Sequence, residues 1–169
     1  MLSGRFSFKI KPMDKLINSL KGNIEARSDE KRVSPTRIMI VDDHRGVRVG
    51  LNTFLGSHSN LELVAEASNG KEAITKYTNE KPDLVLIDLF LPDISGIILM
   101  HKLHLVNVRV PVIILTNTTG SSLSEIAMSA GAACVVDKGT SGNRLIAAIC
   151  ETMDRIESGS AWSKSSSEN

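Results

Sequence analysis

Short apolar runs recur five times along the chain, and a polar segment follows each of them. The runs are rich in branched aliphatic residues, which is typical of strands that are buried on both faces of a parallel sheet. One of them, Leu61–Ala65, alternates in part with polar residues, as expected of a strand nearer the sheet edge. The others are Ile38–Val41, Leu84–Ile87, Pro111–Thr116 and Cys134–Val136.

Segments with helical periodicity separate and follow these runs. In the first of them Val47, Leu51, Phe54 and Leu55 fall on one face. Two further helices begin at capping signals: Asn69–Glu72 starts one that runs to about 79, and Ser122–Glu125 starts one that ends at Gly131. The remaining two are predicted over Gly96–Leu105 and over about 141–157. Strand and helix therefore alternate five times, which predicts an α/β fold with a doubly wound parallel sheet and helices on both faces.

The flanks of this pattern differ from it in composition. Residues 1–36 contain eight Lys/Arg and four Asp/Glu, a net charge of +4. An amphipathic helix at about 13–21 is plausible there, against the alternatives of an extension without fixed structure and of a targeting or membrane-surface segment. We expect the folded domain at 37–157 and a Ser-rich tail, or a truncated linker, at 158–169.

Overall composition narrows the class of protein. The chain has 169 residues, 41% of them hydrophobic but only 4% aromatic, so the core must be aliphatic. A net charge of +1 argues against electrostatic binding of the whole chain to nucleic acid or membrane. We expect a cytoplasmic protein, because no apolar run reaches the roughly 18 residues of a membrane span. Cys134 and Cys150 lack metal-ligand spacing and are expected to be reduced and mostly buried.

Polar residues end four of the five predicted strands. Asp42 and Asp43 follow the first strand, Asp88 the third, Thr116 ends the fourth, and Lys138 comes shortly after the fifth. Because the carboxyl ends of parallel strands share one edge of the sheet, these groups are expected to converge. Three carboxylates in one place repel each other, and Mg²⁺ would relieve that repulsion. A carboxylate nucleophile, a metal, a lysine and a hydroxyl suit phosphoryl transfer onto aspartate.

Together these motifs resemble the receiver domain of two-component response regulators, which is CheY-like, and in particular the receivers of the LuxR/NarL-type group. The resemblance covers about 37–157 and implies a flavodoxin-like (βα)5 fold with strand order 2-1-3-4-5. The matching residues are Ile40–His44, Asp88–Pro92 with Gly96, Leu115–Thr116, and Gly131–Ala132 leading to Lys138.

The resemblance implies a role for each residue of the metal pocket. Asp88 resembles the phosphoacceptor. Asp43 resembles a direct Mg²⁺ ligand and Asp42 a ligand through water. Asp88 and the backbone carbonyl of Phe90 would complete the protein's share of the metal site. His44, in contrast, is expected to have a capping or surface role.

The resemblance also implies a switch and its partners. Thr116 resembles the hydroxyl that moves toward the phosphoryl group, and Lys138 the lysine that pairs with that group. A histidine kinase or phosphotransfer protein would phosphorylate Asp88, which would alter a surface for a downstream protein target or a homodimer. No enzymatic activity is expected beyond self-phosphorylation and self-dephosphorylation with Mg²⁺. No segment supplies a DNA-reading helix, so a nucleic-acid contact would need an additional output domain.

Three positions bear on how such a switch would work. Asn117 follows the switch threonine, where the family prefers Ala or Gly, and its larger side chain would narrow access to the site. Val135 stands where the family usually has the aromatic residue that reports activation. Phe90 cannot orient an attacking water, which predicts slow loss of the phosphoryl group.

Two other functions fit parts of the sequence. Asn117 and Val135 are compatible with a degenerate receiver that serves as an interaction module without phosphorylation. A hydrolase with an aspartyl nucleophile is a weaker match, because Asp88–Phe90 lacks a second carboxylate and the chain has no Gly-rich phosphate loop. Each polar residue taken alone also has a plain structural interpretation, such as a helix cap, a turn residue or a solvated lysine.

Overall fold

The computed structural model describes residues 34–117 and 121–159, which contain a five-stranded parallel sheet. Its spatial order is β2-β1-β3-β4-β5, and neighbouring strands all pair in parallel. This confirms the predicted α/β, flavodoxin-like (βα)5 fold. The strands are β1 Thr36–Val41, β2 Leu61–Ala67, β3 Leu84–Asp88, β4 Val112–Thr116 and β5 Cys134–Asp137.

Within the described part of the chain, five helices connect and follow the strands, at nearly the predicted positions. They are α1 Arg45–Leu55, α2 Gly70–Glu80, α3 Gly96–Val106, α4 Ser121–Ser129 and α5 Gly142–Glu157. Because α4 begins at Ser121, Ser122 lies inside the helix and does not occupy the predicted N-cap position. Gly131 has a φ of +108°, a left-handed conformation that favours glycine and suits the predicted end of that segment.

The sheet separates two aliphatic layers, which explains why β3 and β4 are buried along their whole length. Alternate residues of the strands face opposite layers. One layer packs mainly under α2, α3 and α4, with Val85, Ile87 and Leu99 among its members. The other packs under α1 and α5, and it includes Leu86 and Leu145. The core is accordingly built mainly from Ile, Leu, Val, Met and Ala, and it includes the ring of Tyr77.

Side-chain caps fix where α2 begins. The Asn69 side-chain oxygen Oδ1 accepts a hydrogen bond from the Glu72 backbone N–H, at 2.9 Å, as the capping signal predicts. The Glu72 carboxylate reaches one residue further back than expected and accepts a bond from the Ser68 N–H, at 2.7 Å. It also pairs with the Lys76 ammonium one turn later, at 2.7 Å. These bonds lower the pKa of Glu72 from 4.5 to about 2.

Three expectations about the flanks and the thiols have mixed outcomes. The helix predicted at about 13–21 lies outside the described residues, as does most of the tail. Cys134 and Cys150 are free thiols, but both are only partly buried. Within residues 34–117 and 121–159 we find no helix that could cross a membrane.

Candidate functional site

Four strands deliver polar side chains to one edge of the sheet. Asp88 is the last residue of β3, and Asp42 comes directly after β1, the neighbouring strand. Both carboxylates are buried, with 5% and 0% of each residue exposed. Thr116 ends β4 and is buried as well, and Lys138 follows β5. The predicted convergence of these residues is therefore present in the fold.

The Lys138 ammonium lies between two carboxylates. Its Nζ is 2.6 Å from Asp88 Oδ2, to which it donates a hydrogen bond, and 2.6 Å from Asp42 Oδ2. Only 7% of its side chain is exposed. Burial alone would lower the pKa of Lys138, but Asp42 and Asp88 raise it above its ordinary value. The lysine therefore stays charged at neutral pH and offsets part of the negative charge of the site.

The carboxylates form a cluster that fits a hard divalent cation. Ligand atoms from Asp42, Asp43, His44 and Asp88 all lie within 4.8 Å of one another. Asp42 Oδ2 is buried, and despite its ion-pair contact with Lys138 no described residue gives it a well-directed hydrogen bond. An acceptor left in this state suits a metal-bound water, and carboxylate oxygens are the ligands that Mg²⁺ prefers. The residues present therefore fit Mg²⁺.

His44 lies closer to this cluster than the sequence indicated. Its Nδ1 is 2.6 Å from Asp43 Oδ1, and its backbone N–H donates to Asp42 Oδ1 at 2.8 Å. His44 occupies the N-cap position of α1, but its side chain makes no capping hydrogen bond. The capping role is thus wrong for the side chain, whereas the expected surface exposure is confirmed. The motif gave no signal for the contact with Asp43, because that contact depends on the histidine rotamer.

Phe90 has a backbone contact at the site and an exposed ring. Its N–H donates to Asp88 Oδ1 at 3.2 Å, while more than half of the residue is exposed. The loop then returns to the sheet, where the Gly96 N–H donates to the Leu89 carbonyl at 2.8 Å. The loop therefore holds the Phe90 backbone beside the Asp88 carboxylate. The metal contact expected of the Phe90 carbonyl remains a prediction.

The three residues around the predicted switch have different environments. The Thr116 carbonyl accepts a hydrogen bond from the Lys138 N–H, at 2.8 Å, which joins the ends of β4 and β5. Asn117, the next residue, is exposed. Val135 is partly buried and packs against the layer under α2, α3 and α4. The position where the resemblance leads us to expect an aromatic ring thus holds a small aliphatic side chain.

Arg48 contacts the backbone of Asp42 and Asp43, and no sequence motif predicts this contact. Its Nη1 donates to the Asp42 carbonyl at 2.7 Å and to the Asp43 carbonyl at 3.2 Å. No motif marks Arg48, which is one of two arginines in α1. Only the phase of that helix places its side chain against the loop.

Comparisons with known proteins agree with this arrangement. The family model described as "Response regulator receiver domain" matches residues 38–150. The response regulator protein VraR of Staphylococcus aureus (strain NCTC 8325) is 33% identical over 116 residues, which cover 69% of this chain and 56% of VraR. The chain thus spans about half the length of the curated relatives it matches.

Solved structures show the same similarity. A LuxR-family two-component response regulator from Aurantimonas sp. SI85-9A1 superposes with a TM-score of 0.68 at 33% identity, over 72% of this chain and 86% of that one. CheY6 of R. sphaeroides, crystallised with the P1 domain of CheA3, has a TM-score of 0.64 at 30% identity, over 72% and 98% of the two chains. With its strand order and its acidic cluster, this chain belongs to the response regulator receiver family.

Proposed function

We propose that this chain is a phosphorylatable receiver that accepts a phosphoryl group on Asp88 in the presence of Mg²⁺. The observation that carries the proposal is the ammonium of Lys138, shared between the buried carboxylates of Asp42 and Asp88 at 2.6 Å each. Burying two carboxylates costs free energy that a structural role would not require. A receiver requires these carboxylates, because they would bind Mg²⁺ and accept the phosphoryl group.

Each residue has a distinct role in the proposed reaction. An Asp88 carboxylate oxygen bonds to phosphorus while the P–N bond of a donor phosphohistidine breaks, and the released imidazole takes up a proton. Asp42, Asp43, Asp88 and the Phe90 carbonyl would hold Mg²⁺, which when bound neutralises charge on the phosphoryl oxygens. Lys138 is already placed to exchange its contact with Asp88 for one with the phosphoryl group.

The proposed output is a change at the surface of β4, α4, β5 and α5. The Thr116 hydroxyl would move toward the phosphoryl group, and the two strand ends joined at Thr116 and Lys138 would transmit that movement. Ile126 and Met128 of α4 are exposed there, at 54% and 47%. They would contact a downstream protein target or a second copy of the chain.

The donor we propose is a histidine kinase or a phosphotransfer protein. The similar CheY6 was crystallised with the P1 domain of CheA3, which supports a contact of this kind. The domain would comprise 37–157, with 1–36 and 158–169 as flanking segments. Free thiols at Cys134 and Cys150 suit a reducing compartment, so we propose a cytoplasmic location.

Intact-mass spectrometry with acetyl phosphate and Mg²⁺ tests the proposal. We expect a phosphoryl mass gain in the wild-type chain and none in Asp88→Asn, which keeps the shape of the side chain. Omitting Mg²⁺ should abolish the gain. A wild-type chain that gains no mass from acetyl phosphate or phosphoramidate would contradict the proposal and would favour the interaction module.

A further inference from the structure

Arg48 forms hydrogen bonds with the backbone of Asp42 and Asp43, two of the predicted metal ligands. One of its guanidinium nitrogens donates to the carbonyls of both Asp42 and Asp43, at 2.7 and 3.2 Å. Only 16% of the Arg48 side chain is exposed, so water competes little for these bonds. The contact fixes two successive peptide units directly after β1, and the carboxylates of Asp42 and Asp43 extend from those units.

The guanidinium is itself held from its other side by Glu66 of β2. Arg48 Nε lies 3.4 Å from Glu66 Oε2, and the Asn52 amide donates to Glu66 Oε1 at 3.2 Å. The Glu66 carbonyl accepts a further bond from the Lys76 ammonium, at 2.5 Å. Glu66 of β2, itself bonded to Asn52 of α1, therefore restricts the orientation of the Arg48 guanidinium.

We infer that Arg48 is a positioning residue that pre-organises Asp42 and Asp43 for Mg²⁺. Mg²⁺ demands nearly ideal octahedral geometry, so small displacements of a carboxylate weaken binding strongly. Loss of partners that orient metal ligands typically costs about 10–100-fold in metal affinity. The inference rests on the proposed Mg²⁺-dependent function and identifies what makes its metal site precise.

The charge of Arg48 makes this role distinguishable from an electrostatic one. A guanidinium near the acidic cluster repels a divalent cation. If charge alone mattered, removing Arg48 would tighten Mg²⁺ binding. If Arg48 positions the ligands, its removal weakens Mg²⁺ binding despite the loss of a repelling charge. The two roles therefore predict changes of opposite sign.

Isothermal titration of the full chain with Mg²⁺ provides the test. We expect the dissociation constant of Arg48→Met, which keeps the apolar stem, to rise about tenfold. Arg48→Lys keeps the charge but cannot reproduce the planar guanidinium fork, and it should give a smaller loss. Arg45→Met is the matched control, because Arg45 is exposed on the same helix and should leave Mg²⁺ binding unchanged.

The Mg²⁺ dependence of phosphorylation separates positioning from general damage. For Arg48→Met the Mg²⁺ concentration at half-maximal rate should rise about tenfold, while the rate at saturating Mg²⁺ stays within about twofold of wild type. If Arg48→Met does not fold, Arg48→Lys carries the same comparison.

The outcomes that overturn the inference are distinct from failure of the proposed function. Unchanged or tighter Mg²⁺ binding in both Arg48 variants, with normal binding in the wild type, overturns the inference alone. An equal loss in Arg45→Met does so too. A wild-type chain that binds no Mg²⁺ overturns the proposed function, and this inference with it.

Discussion

At the residue scale, Lys138 is the group on which the buried charges depend. It contacts Asp42 and Asp88 at the same distance, so one cation offsets two carboxylates. A buried cluster of this kind need not make the fold more stable than apolar residues would in place of all three side chains. Removing the cation alone, however, leaves buried anions without compensation.

Replacing Lys138 by Met should therefore destabilise the domain. We expect a loss of about 3 kcal/mol in the free energy of unfolding at neutral pH without Mg²⁺, because two buried carboxylates lose their counter-ion. Urea unfolding followed by circular dichroism measures it. Lys71→Met is the control, since Lys71 is exposed on α2, and its effect should stay within about 0.5 kcal/mol. Equal stability of the two variants would contradict this account.

The site residues differ in how far the sequence could predict them. Asp42, Asp88 and Lys138 were predictable, because strand ends in a parallel sheet share an edge and the order of apolar runs fixes which residues lie there. Arg48 and His44 were not. Their contacts depend on helix phase and side-chain rotamer, which a pattern of apolar and polar positions leaves undetermined.

At the element scale, the strands were easier to predict than the faces of the helices. Branched apolar runs gave the central strands almost to the residue, but β2 extends to Ala67, since Glu66 and Ala67 pair with Ile40 and Val41 of β1. Most residues of α3 are apolar, so the spacing of apolar positions does not predict which face of this helix is exposed to solvent. The structure exposes its end, where Leu105 is 88% exposed while Leu103 is fully buried.

The first turn of α2 should show a specific pH dependence. Hydrogen bonding to Lys76 and to the Ser68 N–H lowers the pKa of Glu72 from 4.5 to about 2. The stability from this carboxylate is complete above about pH 4.5 and is lost as the pH falls toward 2. Because the side chain is 34% exposed, we expect solvent screening to leave about 1 kcal/mol.

Unfolding of Glu72→Gln between pH 7 and pH 3 checks this dependence. The variant should be about 1 kcal/mol less stable than wild type at pH 7, and the gap should narrow as the pH falls below 4.5. Glu62→Gln, at an exposed position of β2, should show no such gap. A gap that stays constant with pH would show that the carboxylate charge is not responsible.

The start of α3 is packed against the backbone of Asp88. A Cβ on Gly96 would lie 2.3 Å from the Asp88 carbonyl oxygen, a contact that the backbone cannot relieve without moving. We expect Gly96→Ala to cost more than 2 kcal/mol, on the order of an overpacked core, and to slow phosphorylation of Asp88. Thermal unfolding and the acetyl phosphate assay measure the two effects.

Gly50→Ala is the matched control for this substitution. Gly50 is an exposed residue inside α1, and nothing lies within 4 Å of a Cβ built on it. Alanine there should stabilise the domain by roughly 0.5–1 kcal/mol through its higher helix propensity. If both substitutions change the free energy of unfolding in the same direction, close packing is not the reason that position 96 is a glycine.

At the scale of the whole molecule, two aliphatic layers support a single charged edge. The layers bury both faces of the sheet, and the strand ends then place Asp42, Asp88 and Thr116 in a region with little access to water. The carboxylates repel each other across that region, and Lys138 offsets the repulsion only in part. Folding is therefore coupled to any cation that binds this edge.

Mg²⁺ should consequently stabilise the folded chain in a way that ordinary salt does not. A ligand that binds only the native state adds about 1.4 kcal/mol when its free concentration is ten times its dissociation constant. We expect this gain in urea unfolding with increasing MgCl₂, measured against NaCl at matched ionic strength, since screening alone acts on any charge. Asp43→Asn should remove most of the gain while leaving the buried pair of Asp42 and Lys138 in place. A gain that NaCl reproduces, or that persists in Asp43→Asn, would mean that the acidic edge is not the Mg²⁺ site.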